Sequence, residues 1–108
     1  MGKNPSAEID KIRDKLVPFL KTTKASKTIL FGSMAAGTGT RKSDVDLMII
    51  EETDKRFFDR YNDYAPIQHI LSDRSVDILI YTPDELTRIS HRPFIQQILN
   101  SGQVIYEC

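Results

Sequence analysis

Cysteine is all but missing from this chain: the single one, Cys108, is the last of 108 residues. It cannot close an internal disulfide and supplies no metal cluster, which fits a reducing cytoplasm. Net charge is missing as well, since fifteen Lys and Arg offset fifteen Asp and Glu. No overall field then draws the chain to nucleic acid or to an anionic membrane. A purely electrostatic nucleic-acid binder is disfavoured, and only a local basic patch stays open. No apolar run approaches the roughly 18 residues of a membrane span, and the N-terminus is polar. Internal repeats, low-complexity segments and linkers are absent too. At this length residues 1–108 read as one domain with a single modest core. Hydrophobic residues at 40% and charged ones at 28% are ordinary for such a domain.

What the chain does have is clear periodicity. After a loose leader, Met1 to Pro5, Ser6 is a candidate N-cap and Glu8 suits the first turn of a helix. Ile9, Ile12, Leu16, Phe19 and Leu20 recur at helical spacing, predicting a helix from about Ser6 to Thr22 that Pro18 should kink or shorten. Lys21 to Lys27 reads as a turn, Thr28 to Phe31 as a short strand, and Ser33 to Ala36 as a brief helix ended by Gly37. Thr38 to Lys42 reads as a polar loop. Asp44 to Ile50 is a strand, apolar on both faces beyond Asp46 and so buried on both. Thr53 or Asp54 should cap a helix carrying Phe57, Phe58 and Tyr61, with Pro66 opening a further turn. Val76 to Tyr81 is a third strand. Thr82 is the expected N-cap of a helix with Pro83 at its first position. A last helix over Pro93 to Asn100 leads to a strand at Val104 to Tyr106. The order implies an α/β (α+β) fold, a small mixed sheet with helices packed on it.

Ile29 to Ile50 carries the chemistry. Side chains alternate along a strand, so Asp44 and Asp46 point the same way and repel unless something positive lies between them. A divalent cation is the natural partner, and Mg²⁺ favours one or two carboxylates plus substrate phosphates. Asp77 heads the third strand in the same manner. Were the two strands neighbours, three carboxylates would converge, enough to hold two metals roughly 4 Å apart for in-line phosphoryl or nucleotidyl transfer. Gly32 lets the backbone approach a phosphate, and Ser33 offers a hydroxyl and an N–H at a helix start. Gly37 and Gly39 keep the next loop pliable, and Arg41 and Lys42 are the nearest cations for a triphosphate. Each element alone is more often a turn, a cap or a strand-leading acid, Asp77 paired with Arg74 for example; their order and spacing set them apart.

Gly32-Ser33, then ten residues, then Asp44-Val45-Asp46, and later Asp77, resembles the nucleotidyltransferase superfamily that includes DNA polymerase beta, in the form of its stand-alone minimal members. Ile98, Gly102 and Ile105-Tyr106 are similar to the end of those proteins, and the resemblance spans about Ile9 to Glu107. It implies a nucleotidyltransferase fold, Asp44 and Asp46 as metal ligands, and Asp77 completing the site and helping to activate an acceptor hydroxyl. Gly32 and Ser33 would hold the phosphates of ATP or another nucleoside triphosphate. Many members read Gly-Ser-Arg-x-Arg-Gly, whereas Met34 and Ala36 stand here, removing two cations that Arg41 or Lys42 would have to replace. With no acceptor-binding domain following, the acceptor should be small, loosely held, or presented by a partner protein. Minimal members often pair as antitoxins with a HEPN-domain ribonuclease and transfer AMP to its tyrosine. Two further readings stay open: an antitoxin that neutralises its partner by masking it, and a small-molecule nucleotidyltransferase. Homo- and hetero-oligomers are both compatible with the sequence.

His69 and His91 have no spaced partner and read as surface or packing residues. Phe57, Phe58, Tyr61 and Tyr64 read as core or interface, Lys21, Lys24 and Lys27 as a solvated turn, and Cys108 as inert.

Overall fold

In the computed structural model, which describes residues 5–37 and 43–108, the strand behind the paired acids lies inside the sheet. β2 (Val45–Glu51) is buried at every position but Asp46. It runs between β1 (Ala25–Phe31) and β3 (Val76–Tyr81), and β4 (Gln103–Glu107) completes the order β3-β2-β1-β4. β2 pairs with β3 in parallel and with β1 antiparallel, so the sheet is mixed. The remaining elements are α1 (Pro5–Leu20), a 3₁₀ segment (Phe57–Tyr64), α2 (Pro66–Ile70), α3 (Pro83–Ile89) and α4 (Pro93–Ser101). No helix among the described residues is long and apolar enough to cross a membrane.

Both sheet faces are covered, and strand alternation sorts the side chains between them. Leu30, Val45, Leu47, Ile49 and Ile80 join Leu16 and Leu20 of α1 and Ile67 of α2 in one cluster. Ile29, Met48 and Ile50 join Ile95 and Ile98 of α4 in the other. That two-sided burial explains why β2 is apolar without alternation.

The helix that the periodicity predicts is α1. It starts at Pro5, which puts Ser6 inside its first turn rather than ahead of it, and ends at Leu20, two residues past Pro18. β1 begins three residues earlier than expected. Ala25 and Lys27 pair with Glu51 and Ile50 of β2, and these inter-strand bonds outweigh the turn-like composition of the segment. Gly32 to Gly37 forms hydrogen-bonded turns, with Ala36 N–H on Gly32 C=O at 3.0 Å, instead of a brief helix.

The helix expected from Thr53 or Asp54 is also different. The Thr53 hydroxyl accepts from Lys55 N–H at 3.1 Å in a local turn, and winding starts only at Phe57, as a 3₁₀ segment. Arg60 explains it. Its buried guanidinium binds Lys55 C=O at 3.0 Å, Ile80 C=O at 3.1 Å and both oxygens of Glu85 at 2.6 and 3.0 Å. One side chain thereby fastens the segment to β3 and to α3. Glu85 also closes the capping box that Thr82 opens, as the sequence at Thr82-Pro83 anticipates. Next to it, the fully buried Tyr64 donates its hydroxyl to Glu51 at 2.8 Å, and burial pushes that phenol well above its ordinary range.

Candidate active site

Alternation along β2 and β3 puts Asp46 on the face of Met48 and Ile50, and Asp77 on the face of Leu79 and Tyr81. Both acids therefore point toward the α3/α4 side. The parallel register pairs Asp46 with Asp77, and the antiparallel register sets Phe31, the last residue of β1, beside Asp46 on its other flank. The two carboxyls share a hydrogen bond. Asp46 is held above the usual carboxylate range by burial first, then by the charges of Asp77 and Asp44, and last by that hydrogen bond. Asp44 stands exposed just ahead of the strand, where Val45 N–H is tied to Ser75 C=O at 2.9 Å.

The structure thus brings Asp46 and Asp77 together as a pair, with Asp44 acting on Asp46 through its charge. Among the described residues no group of three or more His, Cys, Asp or Glu side chains is gathered closely enough to hold a metal ion. Two carboxylates that repel are nonetheless a fitting donor set for a hard divalent cation completed by phosphate oxygens.

Gly32 is shaped by this pair. Its φ is +79°, a conformation that disfavours any Cβ, and a Cβ placed there would run into the Asp46 carboxylate. Ser33 follows on the surface, in a turn rather than at a helix start. Met34 is a core residue, only 3% exposed, and Ala36 is exposed. Arg41 and Lys42, the expected phosphate cations, lie outside the described residues, as do Thr38 and Gly39 of the same loop.

Arg74 has a role that sequence spacing does not reveal. Where the sequence suggests a pair with Asp77, the structure shows Arg74 paired with Glu8 of α1 at 2.7 Å. It also reaches Ser43 C=O at 3.4 Å and the Met34 sulfur at 3.8 Å. One guanidinium so connects the Gly32 turn, the lead-in to Asp44 and the first helix.

Beside the acids opens a cleft of about 530 Å³, within the range of small-molecule sites. Its floor and one wall are Phe31, Gly32, Ser33, Ala35, Ala36 and Asp46. The opposite wall is α4, through Phe94, Gln97, Ile98 and Ser101, with Gly102 at its end. Those four α4 positions fall at i, i+3, i+4 and i+7, one face of a helix. That spacing was visible in the sequence, but nothing marked which face would line a cleft.

A family model for polymerase beta nucleotidyltransferases matches residues 14–108. No curated protein matches the chain. Among solved structures, a toxin–antitoxin with AMP-PNP aligns over 89% of this chain and 73% of that one, with TM-score 0.66 and 23% identity. A complex of a tri-AMPylated Shewanella oneidensis HEPN toxin with an MNT antitoxin aligns over 93% and 73%, with TM-score 0.62 and 18% identity. A putative nucleotidyltransferase from Sulfolobus solfataricus aligns over 99% and 92%, with TM-score 0.58 and 16% identity. The fold that sets Asp46 against Asp77 is shared with these proteins, and the match over residues 14–108 places the chain in the polymerase beta nucleotidyltransferase family.

Proposed function

We propose that this nucleotidyltransferase domain transfers AMP from ATP, with Mg²⁺, to a hydroxyl of a HEPN-domain partner, as the antitoxin of a toxin–antitoxin pair. The observation that carries the reading is the Asp46–Asp77 pair, in register on adjacent parallel strands, with Asp46 lining a cleft beside Gly32. The AMP-PNP complex and the AMPylated HEPN toxin among the structural relatives support the nucleotide and the partner.

In this reading Asp44 and Asp46 would hold the divalent ion with help from Asp77, and that ion would supply charge neutralisation at the phosphates. The Gly32 backbone and Ser33 take the phosphate oxygens. The acceptor, a tyrosine hydroxyl, gives its proton to Asp77. Its oxygen bonds to the α-phosphorus, the α–β phosphoanhydride bond breaks, and pyrophosphate leaves. Incubation of the chain with labelled ATP, Mg²⁺ and the HEPN partner should label the partner, and Asp46→Asn should abolish the label. Full labelling by that variant would sink the assignment.

A second reading, neutralisation by masking, draws on Met34 and Ala36, which leave the turn after Gly32 without the arginines common in the family. If the Asp44→Asn, Asp46→Asn double variant still silences the partner completely, masking is the function and transfer is dispensable.

A further inference from the structure

The α4 wall of the cleft has features that phosphate binding does not require. Phe94 is 55% exposed although it is among the largest apolar side chains of the molecule. It meets Phe31 edge-on at 5.9 Å between ring centroids, so Phe31, half-buried at the end of β1, braces it. One helical turn further on, the exposed Gln97 lines the same cleft. Its side-chain amide takes up no partner among the described residues. The Ser101 hydroxyl is turned back onto Gln97 C=O at 2.6 Å, which leaves Gln97 as the polar group with free donors and an acceptor on this wall. Ile98 and Ala35 supply apolar surface between them.

An exposed aromatic ring next to an uncommitted amide, in the cleft that Asp46 lines, has the composition of a base-recognition site. Bases of every kind stack on aromatic rings, which confers affinity without selectivity. A carboxamide is selective. It can accept from the N6 amino group of adenine while donating to N7, whereas guanine presents acceptors at both positions and leaves the amide oxygen facing another oxygen.

We propose that Phe94 and Gln97 form the nucleobase subsite, in which Phe94 stacks on the base and the Gln97 amide selects adenine. The inference rests on the transfer reading, because it assumes that the phosphates lie by Gly32 and Asp46. The shared lining agrees with it: Asp46, Gly32, Phe94 and Gln97 all border one cleft. Both residues are exposed, so their truncation leaves the core intact.

The test compares binding of ATP, GTP and inorganic tripolyphosphate by calorimetry in the presence of Mg²⁺. Wild type should bind ATP more tightly than GTP and more tightly than tripolyphosphate. Phe94→Ala should weaken ATP by about five- to tenfold, the low end for one base–aromatic stack, and leave tripolyphosphate unchanged. Gln97→Ala should bring the ATP-to-GTP preference close to one. Equal weakening of ATP and tripolyphosphate by Phe94→Ala, or an unchanged ATP-to-GTP preference in Gln97→Ala, would overturn the subsite alone. Failure of wild type to bind either ATP or tripolyphosphate would overturn the transfer reading itself, and the subsite with it.

Discussion

Gly32 is the position where backbone and chemistry can be separated by a single pair of substitutions. Gly32→Ala carries two penalties. Its φ of +79° lies in the left-handed region, which costs a residue with a Cβ roughly 1–2 kcal/mol. The new methyl also occupies the place of the Asp46 carboxylate, so Asp46 must leave its rotamer, at about 0.5–1.5 kcal/mol more. The total is about 1.5–3.5 kcal/mol. Gly37 shares the φ of +79° but is not one of the residues lining the cleft. Gly37→Ala should therefore show the backbone penalty alone, about 1–2 kcal/mol. Urea unfolding at neutral pH measures both losses. Labelled-AMP transfer should then diverge sharply: Gly32→Ala loses on the order of 100-fold, as expected when a reacting group moves by about 1 Å, while Gly37→Ala stays within a few-fold of wild type. If Gly32→Ala transfers normally, the contact between its backbone and Asp46 has no bearing on the chemistry. If Gly37→Ala loses as much, turn rigidity rather than room for the carboxylate is what matters.

Asp46→Asn should melt at a higher temperature than wild type at neutral pH while losing transfer. Its folded-state pKa is raised, so the ionised form that dominates at neutral pH is the destabilised one, and an amide removes that repulsion. A lower melting temperature would show that Asp46 and Asp77 are not in electrostatic conflict. Glu85 works in the opposite direction. Arg60 draws its pKa from 4.5 down to about 2, so its stabilisation is complete above pH 4.5 and fades as pH falls toward 2. A shift of 4.5 − 2 converts to at most about 3.4 kcal/mol. The Glu85 side chain is 35% exposed, and solvent screening brings this to about 1–2 kcal/mol. Glu85→Gln should cost that much at pH 7 and nothing near pH 2 by denaturant titration; an equal loss at both pH values would contradict the ion pair.

The acid pair was legible because it needs only parity. Asp46 and Asp77 each stand at the second position of a strand and are followed by an apolar run, so pairing β2 with β3 suffices to put them side by side. Val76 to Tyr81 and the Thr82-Pro83 helix start were legible for a similar reason: their signals are local. The segment from Phe57 was not. Its geometry depends on Arg60 reaching Ile80 and Glu85, twenty and twenty-five residues away, and no local pattern encodes such a reach. Ala25 to Lys27 looked like a turn because its partners, Ile50, Glu51 and Glu107, are also far away in the chain. Ser33 to Ala36 has the composition of a helix start, but a four-residue segment ending in Gly37, with φ at +79°, closes as a turn before a helix can propagate. Phe94 and Gln97 escaped notice because one amphipathic helix face looks like another until the sheet it covers is known.

Met34 and Ala36 look like equivalent losses in the sequence, two arginines exchanged for two uncharged residues. Their surroundings make them different in kind. Met34 is packed into the larger core cluster and lies against the Arg74 guanidinium, so an arginine there would bury a charge beside another of the same sign. Ala36 stands in solvent at the rim of the cleft, where a guanidinium needs no room made for it. A lineage could regain the second cation by one substitution. To regain the first it would have to rebuild part of the core and the loop stems that Arg74 binds, which makes position 34 an evolutionary ratchet and position 36 a tuning point.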